Sequence, residues 1–350
     1  MSRFSDVTYD TTSQTAVIGA GLIWDDVYAA LAPYNVNVVG GRVSGVGIAG
    51  FTLGGGYSWL TNQHGLTLDT VRAFELVKPS GEVATVTQAS DPDLFFGLKG
   101  GVISYASPQI PSVATATATF SETVTDPKAG IISTYNFIPG DVGISQILFY
   151  DGPTPPAGIF DAFLAIPYLT KDISTRDYLS LVQLSPANVS SNLRVVFNTV
   201  SLSQYTPSIL DVILNETTFW GAQLTTKSGT FISYDAEPFL PSIFSHGAPS
   251  SSAYPPSRSI GLSPIDIYYA WTDEEFDDDF YAAARHSAAR IHELAIAEGQ
   301  DIADAALYPN YSIFGTPIAA LYGANVPALK ALKDEVDPGN VMGLAGGFKI

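Results

Sequence analysis

The residues best suited to do chemistry are two clusters of glycines separated by only three residues. The first contains Gly45, Gly47 and Gly50, and the second contains Gly54, Gly55 and Gly56. Glycine-rich loops accept positive φ angles and let backbone N–H groups approach a ligand. The spacing therefore predicts a main-chain cradle for a ligand. The residues alone also allow a cluster of turns that binds nothing.

The first cluster spells the dinucleotide fingerprint Gly-x-Gly-x-x-Gly, and Asp69 follows at about the expected distance. That motif requires a helix that starts at the second glycine and crosses over to a parallel strand. Here the second glycine cluster interrupts the position of the helix. The next apolar runs, 71–77 and 83–87, flank Lys-Pro-Ser-Gly and predict an antiparallel hairpin. We therefore reject the Rossmann interpretation.

The other groups of charged or ligating side chains favour structural roles. Six acids lie between 273 and 279, but the glycine and the ligand spacing of a calcium loop are missing. Acidic residues stabilise a helix N-terminus, so this run predicts the start of an amphipathic helix. His286 and His292 are six positions apart and do not face each other as a metal pair. His64 is interpreted as a turn residue, and no metal site is predicted.

Composition limits the partners. The chain has 350 residues and a formal net charge of −18, so nucleic acid and anionic membranes are poor partners. With only 16 lysines and arginines, a bound phosphate would depend on backbone N–H groups. No apolar run reaches membrane-spanning length, and no signal peptide is visible. The absence of cysteine excludes disulfides and cysteinyl links to a cofactor.

The elements that must position these residues follow from hydrophobic periodicity. Residues 1–18 predict a hairpin, and residues 24–31 predict a helix with apolar side chains at i, i+3, i+4 and i+7. Further strands are predicted at 131–137, 144–150, 193–202, 229–236 and 265–271. Further helices are predicted at 111–125, 159–164, 207–224 and 321–336. With few βαβ signals, this pattern predicts an α+β fold, an antiparallel sheet with helices on one face.

Two blocks of residues at opposite ends of the chain carry a family resemblance. The first block is Gly45-Val46-Gly47, Gly50, Gly54-Gly55-Gly56-Tyr57, Gly65-Leu66, Asp69-Thr70-Val71, Gly81, Asp93-Leu94-Phe95 and Gly100-Gly101. The second is Tyr308-Pro309-Asn310-Tyr311, Tyr322-Gly323-x-Asn325 and Asp337-Pro338-x-Asn340-Val341-Met342. Together they resemble FAD-linked oxidases of the vanillyl-alcohol oxidase / p-cresol methylhydroxylase type, in the fungal, berberine bridge enzyme-like branch.

The resemblance implies FAD as cofactor and assigns roles to particular residues. Contacts to FAD would come from Ser44, Gly45, Gly47, Gly50, Gly54, Gly55, Gly56, Tyr57, Asp69, Val71, Gly100, Tyr308 and Asn310. Tyr311 would face the substrate as the base that takes the proton coupled to hydride transfer. An ordinary phenol has a pKa of about 10, so neighbouring donors would have to lower it. Residues 45–57 and 308–311 would line opposite walls of one slot.

The resemblance also implies a domain division and an incomplete cradle. Residues 1–103 would form a partial FAD-binding domain, 104–304 a substrate domain, and 305–350 a tail that returns to the FAD domain. Family members carry an upstream Gly-Gly-Gly-His-type loop, and a further flavin-contacting strand after the position of Gly101; this sequence shows neither. Val43 and Phe51 replace residues that some members link to flavin. This predicts FAD bound without a covalent bond or through a histidine of the missing lobe.

The resulting hypothesis is an FAD-dependent oxidase that acts on an alcohol or C–H bond of a carbohydrate or secondary metabolite. O2 would be the acceptor, and the chain would be secreted. A non-catalytic remnant unable to hold FAD is the alternative. A sugar-binding module would fit the acidic, aromatic-rich composition, but no specific motif supports it. The sequence makes no prediction of oligomeric state.

Overall fold

The computed structural model describes residues 3–77, 83–87, 99–138, 140–185, 190–248, 251–344 and 347–350. The chain opens with the predicted hairpin, in which β1 (Val7–Asp10) pairs with β2 (Thr15–Ile18). Helix α1 (Trp24–Leu31) follows with the predicted bounds. Its buried residues fall on one helical stripe, so apolar burial fixes its orientation against the rest of the segment.

The glycine-rich stretch contains more helix than the sequence indicated. Helix α2 (Ile48–Leu53) begins directly after Gly47 and ends at Gly54, so a short helix does follow the second glycine. Helices α3 (Thr61–His64) and α4 (Thr67–Thr70) come next. Strands β3 (Ala73–Val77) and β4 (Val83–Thr87) then pair antiparallel. The hairpin is confirmed, and the crossover of a dinucleotide fold is absent from this described pair.

A large antiparallel sheet dominates the rest of the described chain. Its strands are β5 (Lys99–Tyr105), β6 (Ala129–Ile138), β7 (Asp141–Tyr150), β8 (Thr170–Thr175), β9 (Arg194–Leu202), β10 (Gly229–Ala236) and β11 (Ser263–Trp271). They lie in the order β8-β5-β7-β6-β10-β11-β9. Every neighbouring pair is antiparallel. The sequence missed β5 and β8, and the boundary expected between 103 and 104 falls inside β5.

Helices cover one face of this sheet, as predicted. The helices of this part are α5 (Ile110–Thr123), α6 (Asp161–Leu164), α7 (Tyr178–Val182), α8 (Pro207–Leu224), α9 (Asp277–Ala297), α10 (Ile318–Tyr322) and α11 (Val326–Val336). Side chains of α5, α8 and α9 share one buried apolar cluster with the sheet. Burying each large apolar side chain there contributes roughly 1.5–3 kcal/mol. The acidic run does begin α9, where Asp277 binds Arg194 and Asp279 binds Lys227.

Strand alternation defines what lies on the other face. Tyr234 and Ala236 of β10 belong to the helix-side core, so Asp235 between them points away from the helices. The opposite face of β6 and β7 packs against the N-terminal segment, where Trp59 stacks on Phe149 with ring centroids 5.3 Å apart. The opposite face of β9, β10 and β11 carries polar and aromatic side chains instead. Among the helices of the described residues, none combines the length and apolar composition needed to cross a bilayer.

Candidate active site

The glycine-rich stretch and the C-terminal tail are in direct contact. Asn310 Nδ2 donates to the main-chain carbonyl of Phe51 at 3.0 Å, and Tyr57 N donates to Tyr308 OH at 3.3 Å. A β-carbon added at Gly54 would come within 1.9 Å of Asn310 Oδ1. The expectation that these segments form opposite walls of a slot is therefore corrected at this point. They touch, because Gly54 leaves room for the Asn310 side chain.

Three distant segments converge on a buried polar group. Arg42 comes just before the glycine-rich stretch, Glu237 directly after β10, and Tyr311 from the tail. Arg42 Nη2 lies 2.7 Å from Glu237 Oε2 and donates to Tyr311 OH at 3.0 Å. Tyr311 OH donates to Glu237 Oε1 at 3.2 Å. The Arg42 and Glu237 side chains are only 5% and 2% exposed, so each needs the other as a charge partner.

The surroundings of this group keep Tyr311 protonated. Burial raises the pKa of Tyr311 well above its ordinary value; the negative charge of Glu237 raises it further and the positive charge of Arg42 opposes the rise. Burial also raises the pKa of Glu237 above its ordinary value, and Arg42 opposes that rise. The expectation of a lowered phenol pKa is therefore wrong. Tyr311 is a neutral phenol whose proton already points at a carboxylate.

Sequence reasoning missed Arg42 and Glu237. Arg42 had a weak signal, since it is one of only 16 basic residues and follows Gly40 and Gly41 at the edge of the predicted cradle. Glu237 had almost none, since it simply follows an apolar strand. Arg42 also lies over the Phe239 and Trp59 rings, at 5.3 and 5.8 Å from their centroids. These contacts hold the guanidinium in a direction that chain order does not reveal.

Two of the expected cofactor contacts are packing residues. Tyr57 and Tyr308 are both 1% exposed and meet edge to face with centroids 4.7 Å apart. Tyr57 OH donates to the carbonyl of Leu262. Tyr308 accepts from Asn310 Nδ2 at 2.8 Å, and burial raises its pKa to about 12. Tyr308 also lies 4.9 Å from the Tyr311 ring, so this aromatic cluster supports the candidate base.

Ser44 and Gly45 already have a partner inside the chain. Asp25, in the first turn of α1, accepts from Ser44 Oγ at 2.7 Å and from Gly45 N at 2.8 Å. One carboxylate thus uses both groups that the resemblance assigned to the cofactor. A second anion such as a pyrophosphate would be repelled from this position. The structure brings Ser44 and Gly45 together, but around Asp25.

Asp69 is likewise part of a buried ion pair. Arg258 holds both of its carboxylate oxygens, with Nη2–Oδ1 at 2.6 Å and Nη1–Oδ2 at 3.1 Å. Leu66 N donates to Oδ2 at 3.0 Å. The Asp69 side chain is 1% exposed and the Arg258 side chain is 5% exposed. Asp69 therefore ties α4 to the Ser/Pro-rich loop that leads into β11, and no open side remains for a ribose.

The remaining predicted residues divide between packed and open positions. Gly55 and Gly56 have positive φ, and β-carbons there would strike Tyr254 and Thr67. Val71 follows α4 and is half-buried. Gly100 lies in β5 opposite Phe149 of β7 and Ser174 of β8. No described contact brings Val71 or Gly100 to the Tyr311 group.

The open positions are those that could accept a cofactor. Gly45, Gly47 and Gly50 are exposed, and β-carbons at Gly47 and Gly50 would meet nothing within 4 Å. Leu53, on the same short helix, is an apolar side chain that is 64% exposed. Bare backbone beside an exposed apolar side chain fits the flat ring of a flavin. The residues present therefore fit the ring part of FAD, while Asp25 opposes a phosphate at Gly45.

Comparison with known proteins points to the same class. Residues 1–87 match the family described as an FAD binding domain. An uncharacterized FAD-linked oxidoreductase of Arthroderma benhamiae is 34% identical over 204 residues, which are 51% of this chain and 41% of that protein. The FAD-dependent monooxygenase drtC of Aspergillus calidoustus is 26% identical over 386 residues, 100% of this chain and 72% of that protein. The first of these matches thus spans less than half of the relative.

Solved structures share the fold. The berberine bridge enzyme-like protein 1 of Physcomitrella patens matches with a TM-score of 0.73 and 18% identity, over 97% of this chain and 79% of that one. Chitooligosaccharide oxidase matches with a TM-score of 0.70 and 18% identity, over the same shares. At this identity the likeness establishes the architecture alone.

The matched family and the shared fold define an FAD-binding protein. More narrowly, residues 1–87 match the FAD binding domain family, and the chain has the fold of a berberine bridge enzyme-like protein. FAD is its cofactor.

Proposed function

We propose that this chain oxidises a hydroxyl-bearing carbon of a small molecule, with Tyr311 as the residue that takes the hydroxyl proton. The observation that carries the proposal is the bridge formed by Tyr311 between Arg42 and Glu237. A base must lie within hydrogen-bond reach of the proton that it removes, and it needs an acceptor for its own proton. Tyr311 is half-buried, so part of its side chain is open to solvent.

FAD, when bound, supplies the acceptor for the hydride that leaves the substrate carbon. Tyr311 takes the substrate hydroxyl proton as its own proton passes to Glu237, so Tyr311 stays neutral and Glu237 loses its negative charge. Arg42 donates to Glu237 Oε2 and to the Tyr311 hydroxyl, and so keeps the carboxylate and the phenol aligned. A buried hydrogen-bonded network of this kind is already ordered before substrate arrives.

An aromatic surface beside this group would receive the substrate. Phe197 stacks on Tyr268 with centroids 4.5 Å apart and lies 6.2 Å from the Tyr311 ring, nearly parallel to it. Phe231 is tilted against Tyr268 at 5.2 Å. Phe197 is 36% exposed, so this surface opens to solvent. A flat or ring-shaped substrate would bury apolar area there and present its hydroxyl to Tyr311.

The substrate class proposed is a secondary-metabolite alcohol or a carbohydrate, with O2 as electron acceptor. The names of similar proteins support it: drtC is an FAD-dependent monooxygenase, and one structural neighbour is a chitooligosaccharide oxidase. The named fungal relatives support a fungal origin. The strongly acidic, sparsely charged composition supports the proposal that the chain is secreted.

The test is a comparison of flavin binding and flavin reduction in the purified full chain. Visible flavin absorbance, before and after addition of FAD, reports whether the cofactor is held. Anaerobic bleaching by a panel of alcohols and sugars reports hydride transfer, and hydrogen peroxide formed in air reports the acceptor.

Tyr311→Phe should retain FAD and lower the rate of bleaching by about 10²–10⁴-fold. The exposed Tyr168→Phe serves as the matched control and should keep its rate. Unchanged bleaching in Tyr311→Phe would remove Tyr311 from the reaction. A colourless chain that takes up no added FAD would support the remnant alternative instead.

A further inference from the structure

Two buried carboxyls on the open face of the sheet have no use in the reaction proposed above. Asp235 of β10 and Asp266 of β11 are direct cross-strand partners. Ile265 and Ile267 lie in the helix-side core, so Asp266 points to the opposite face together with Asp235. Side chains at such paired positions have β-carbons about 4.5–5.5 Å apart. The sheet therefore holds two acids side by side, facing the site.

Each acid has one carboxyl oxygen without a partner, although Asp235 also accepts a side-chain hydrogen bond from Thr134. Asp266 is 5% exposed and Asp235 is half-buried, and the Oδ1 atom of each is buried without a hydrogen-bond partner. Thr199, across from Asp266 on β9, donates its hydroxyl to the carbonyl of Ile265 at 2.7 Å. Burying an unpartnered polar oxygen costs about 1–3 kcal/mol. A buried acceptor aimed at an open face indicates a missing donor.

The charges on this face are unbalanced. Glu237, just past the end of β10, lies beside Tyr311 on the same face, and among the described residues its cationic partner is Arg42. The groups that face the acid pair are thus Glu237, Arg42, Tyr268 and Tyr311. Burial and then the charge of Glu237 raise the pKa of Asp235 to about 7. Burial and the charge of Asp235 raise the pKa of Asp266 above its ordinary value. Asp235 and Asp266 therefore retain a proton near neutral pH, because no cation of the described residues compensates the second negative charge.

The row next to the acids is aromatic. In the sheet register Ser233, Tyr268 and Phe197 follow Asp235, Asp266 and Thr199 as the next row outward. Tyr268 and Phe197 stack on each other, so the exposed outer part of this stack is what a cation or a flat ligand contacts. A molecule lying on these rings would reach the acid pair at one end and Tyr311 at the side.

We propose that Asp235 and Asp266 bind a protonated amine of the substrate while its flat part lies on Phe197 and Tyr268. The inference rests on the proposed function, since it names the substrate class of that same site as amine-bearing alcohols. An ammonium group supplies the hydrogen-bond donors that both Oδ1 atoms lack, and it balances the excess negative charge. A neutral hydroxyl would supply one donor and leave the charge unbalanced.

The experiment compares benzylamine with benzyl alcohol, which match in shape and differ in charge. Calorimetric binding to the purified full chain is measured without O2 at about pH 8. Benzylamine should bind at least about tenfold tighter than benzyl alcohol. Its affinity should fall about fivefold on going from about pH 7 to about pH 6, because the acid pair must release its proton. Equal affinities for the two probes, or a pH-independent benzylamine affinity, would overturn the inference.

Variants of the two acids test whether benzylamine binds at Asp235 and Asp266. Asp266→Asn, and Asp235→Asn as the second variant, should each abolish the preference for benzylamine. The exposed Asp211→Asn, on α8, should leave it intact. Circular dichroism shows which variants are folded, and only those are scored. An unaltered preference in a folded Asp266→Asn or Asp235→Asn chain would overturn the inference.

The experiments distinguish a failure of the amine site from a failure of the proposed oxidase function. The binding readout needs no turnover, whereas Tyr311→Phe is judged by flavin bleaching. Loss of bleaching in that variant, with equal binding of the two probes, would leave the oxidase and remove the amine site. Preferred binding of benzylamine, with unaltered bleaching in Tyr311→Phe, would leave the amine site and remove the proposed base.

Discussion

Arg42 Nη2 lies 2.7 Å from Glu237 Oε2, although the two residues are 195 positions apart in the chain. Arg42 comes just before the glycine-rich stretch, and Glu237 follows a strand of the large sheet. Their ion pair therefore joins the FAD-binding segment to the sheet at the point where Tyr311 arrives from the tail. The buried Arg42–Glu237 ion pair therefore both positions Tyr311 and connects the FAD-binding segment to the sheet.

Separating this pair should be costly. Arg42→Met or Glu237→Leu alone leaves an unpaired buried charge, and each should lower the free energy of unfolding by about 3–5 kcal/mol. The double variant should lose clearly less than the sum of the two single losses. Denaturant unfolding of the four chains measures the coupling. Additive losses would show that the two side chains do not interact in solution.

Gly54 and Gly47 should respond differently to the same added methyl group. Gly54→Ala places a β-carbon 1.9 Å from Asn310 Oδ1 and should destabilise the chain by about 1–3 kcal/mol. Gly47→Ala meets no protein atom within 4 Å and should leave unfolding nearly unchanged. If the flavin ring lies on this open backbone, Gly47→Ala should weaken FAD binding. Thermal unfolding and FAD titration of both variants separate the two effects.

For Gly47, an FAD affinity equal to that of the unaltered chain would place the ring elsewhere. For Gly54, an unaltered melting temperature would mean that Asn310 moves aside without cost. The two outcomes are independent, since the first concerns a cofactor contact and the second a contact within the protein.

Asp69→Asn separates a structural from a cofactor role. The substitution leaves Arg258 buried without its bidentate partner and should cost about 3–5 kcal/mol in denaturant unfolding. FAD affinity, measured in the folded variant at low temperature, should stay within about twofold of the unaltered chain, since no ribose contact is lost. Asp301→Asn, at an exposed position, is the control and should alter neither quantity. A large loss of FAD affinity without a loss of stability would restore the cofactor role of Asp69.

The acid pair should also be visible in the pH dependence of stability. Burial raises the pKa of Asp235 to about 7, and the pKa of Asp266 is also raised. The folded chain therefore binds more protons than the unfolded chain between about pH 4 and about pH 7, so the free energy of unfolding should fall as pH rises through this window. Above about pH 7 Asp235 is deprotonated in both the folded and the unfolded chain, so it no longer changes the free energy of unfolding with pH.

Asp235→Asn should flatten this decline in chemical unfolding measured at a series of pH values. Glu237 retains a decline of the same sign, because its pKa is also raised, so the flattening should be partial. The exposed Asp211→Asn should keep the full slope. An identical slope in Asp235→Asn would mean that this carboxyl is solvated in the folded chain.

Local periodicity predicted most elements because short-range preferences decide them. Helix α1 and helix α8 have their predicted bounds, and α8 begins at a proline whose missing N–H is harmless in a first turn. Strands β6, β7 and β10 also lie where apolar runs placed them. Strands β5 and β8 were missed. The residues of β8 are mostly exposed, so they carry little of the apolar pattern that marks a strand.

The site was predicted only in part. Tyr308, Asn310 and Tyr311 do meet the glycine-rich stretch, which the two separated motifs indicated. The ion pair of Asp69 with Arg258 was not predicted, because Arg258 lies 189 positions away and carries no motif. Asp25 was overlooked at Ser44 and Gly45 for the same reason. The domain boundaries and the individual contacts to FAD stay predictions.

By itself the sequence indicated the α+β architecture, because strand alternation and helix periodicity are written in neighbouring residues. It indicated FAD and the class of protein only through two motif blocks that resemble a known family. Only the tertiary structure decided which charges meet. The environment of Tyr311 comes from Arg42 and Glu237. Its pKa rises because folding buries it and places Glu237 beside it, and Arg42 opposes that rise. Burial and long-range ion pairing depend on what lies across the fold, and no local pattern in the chain encodes them.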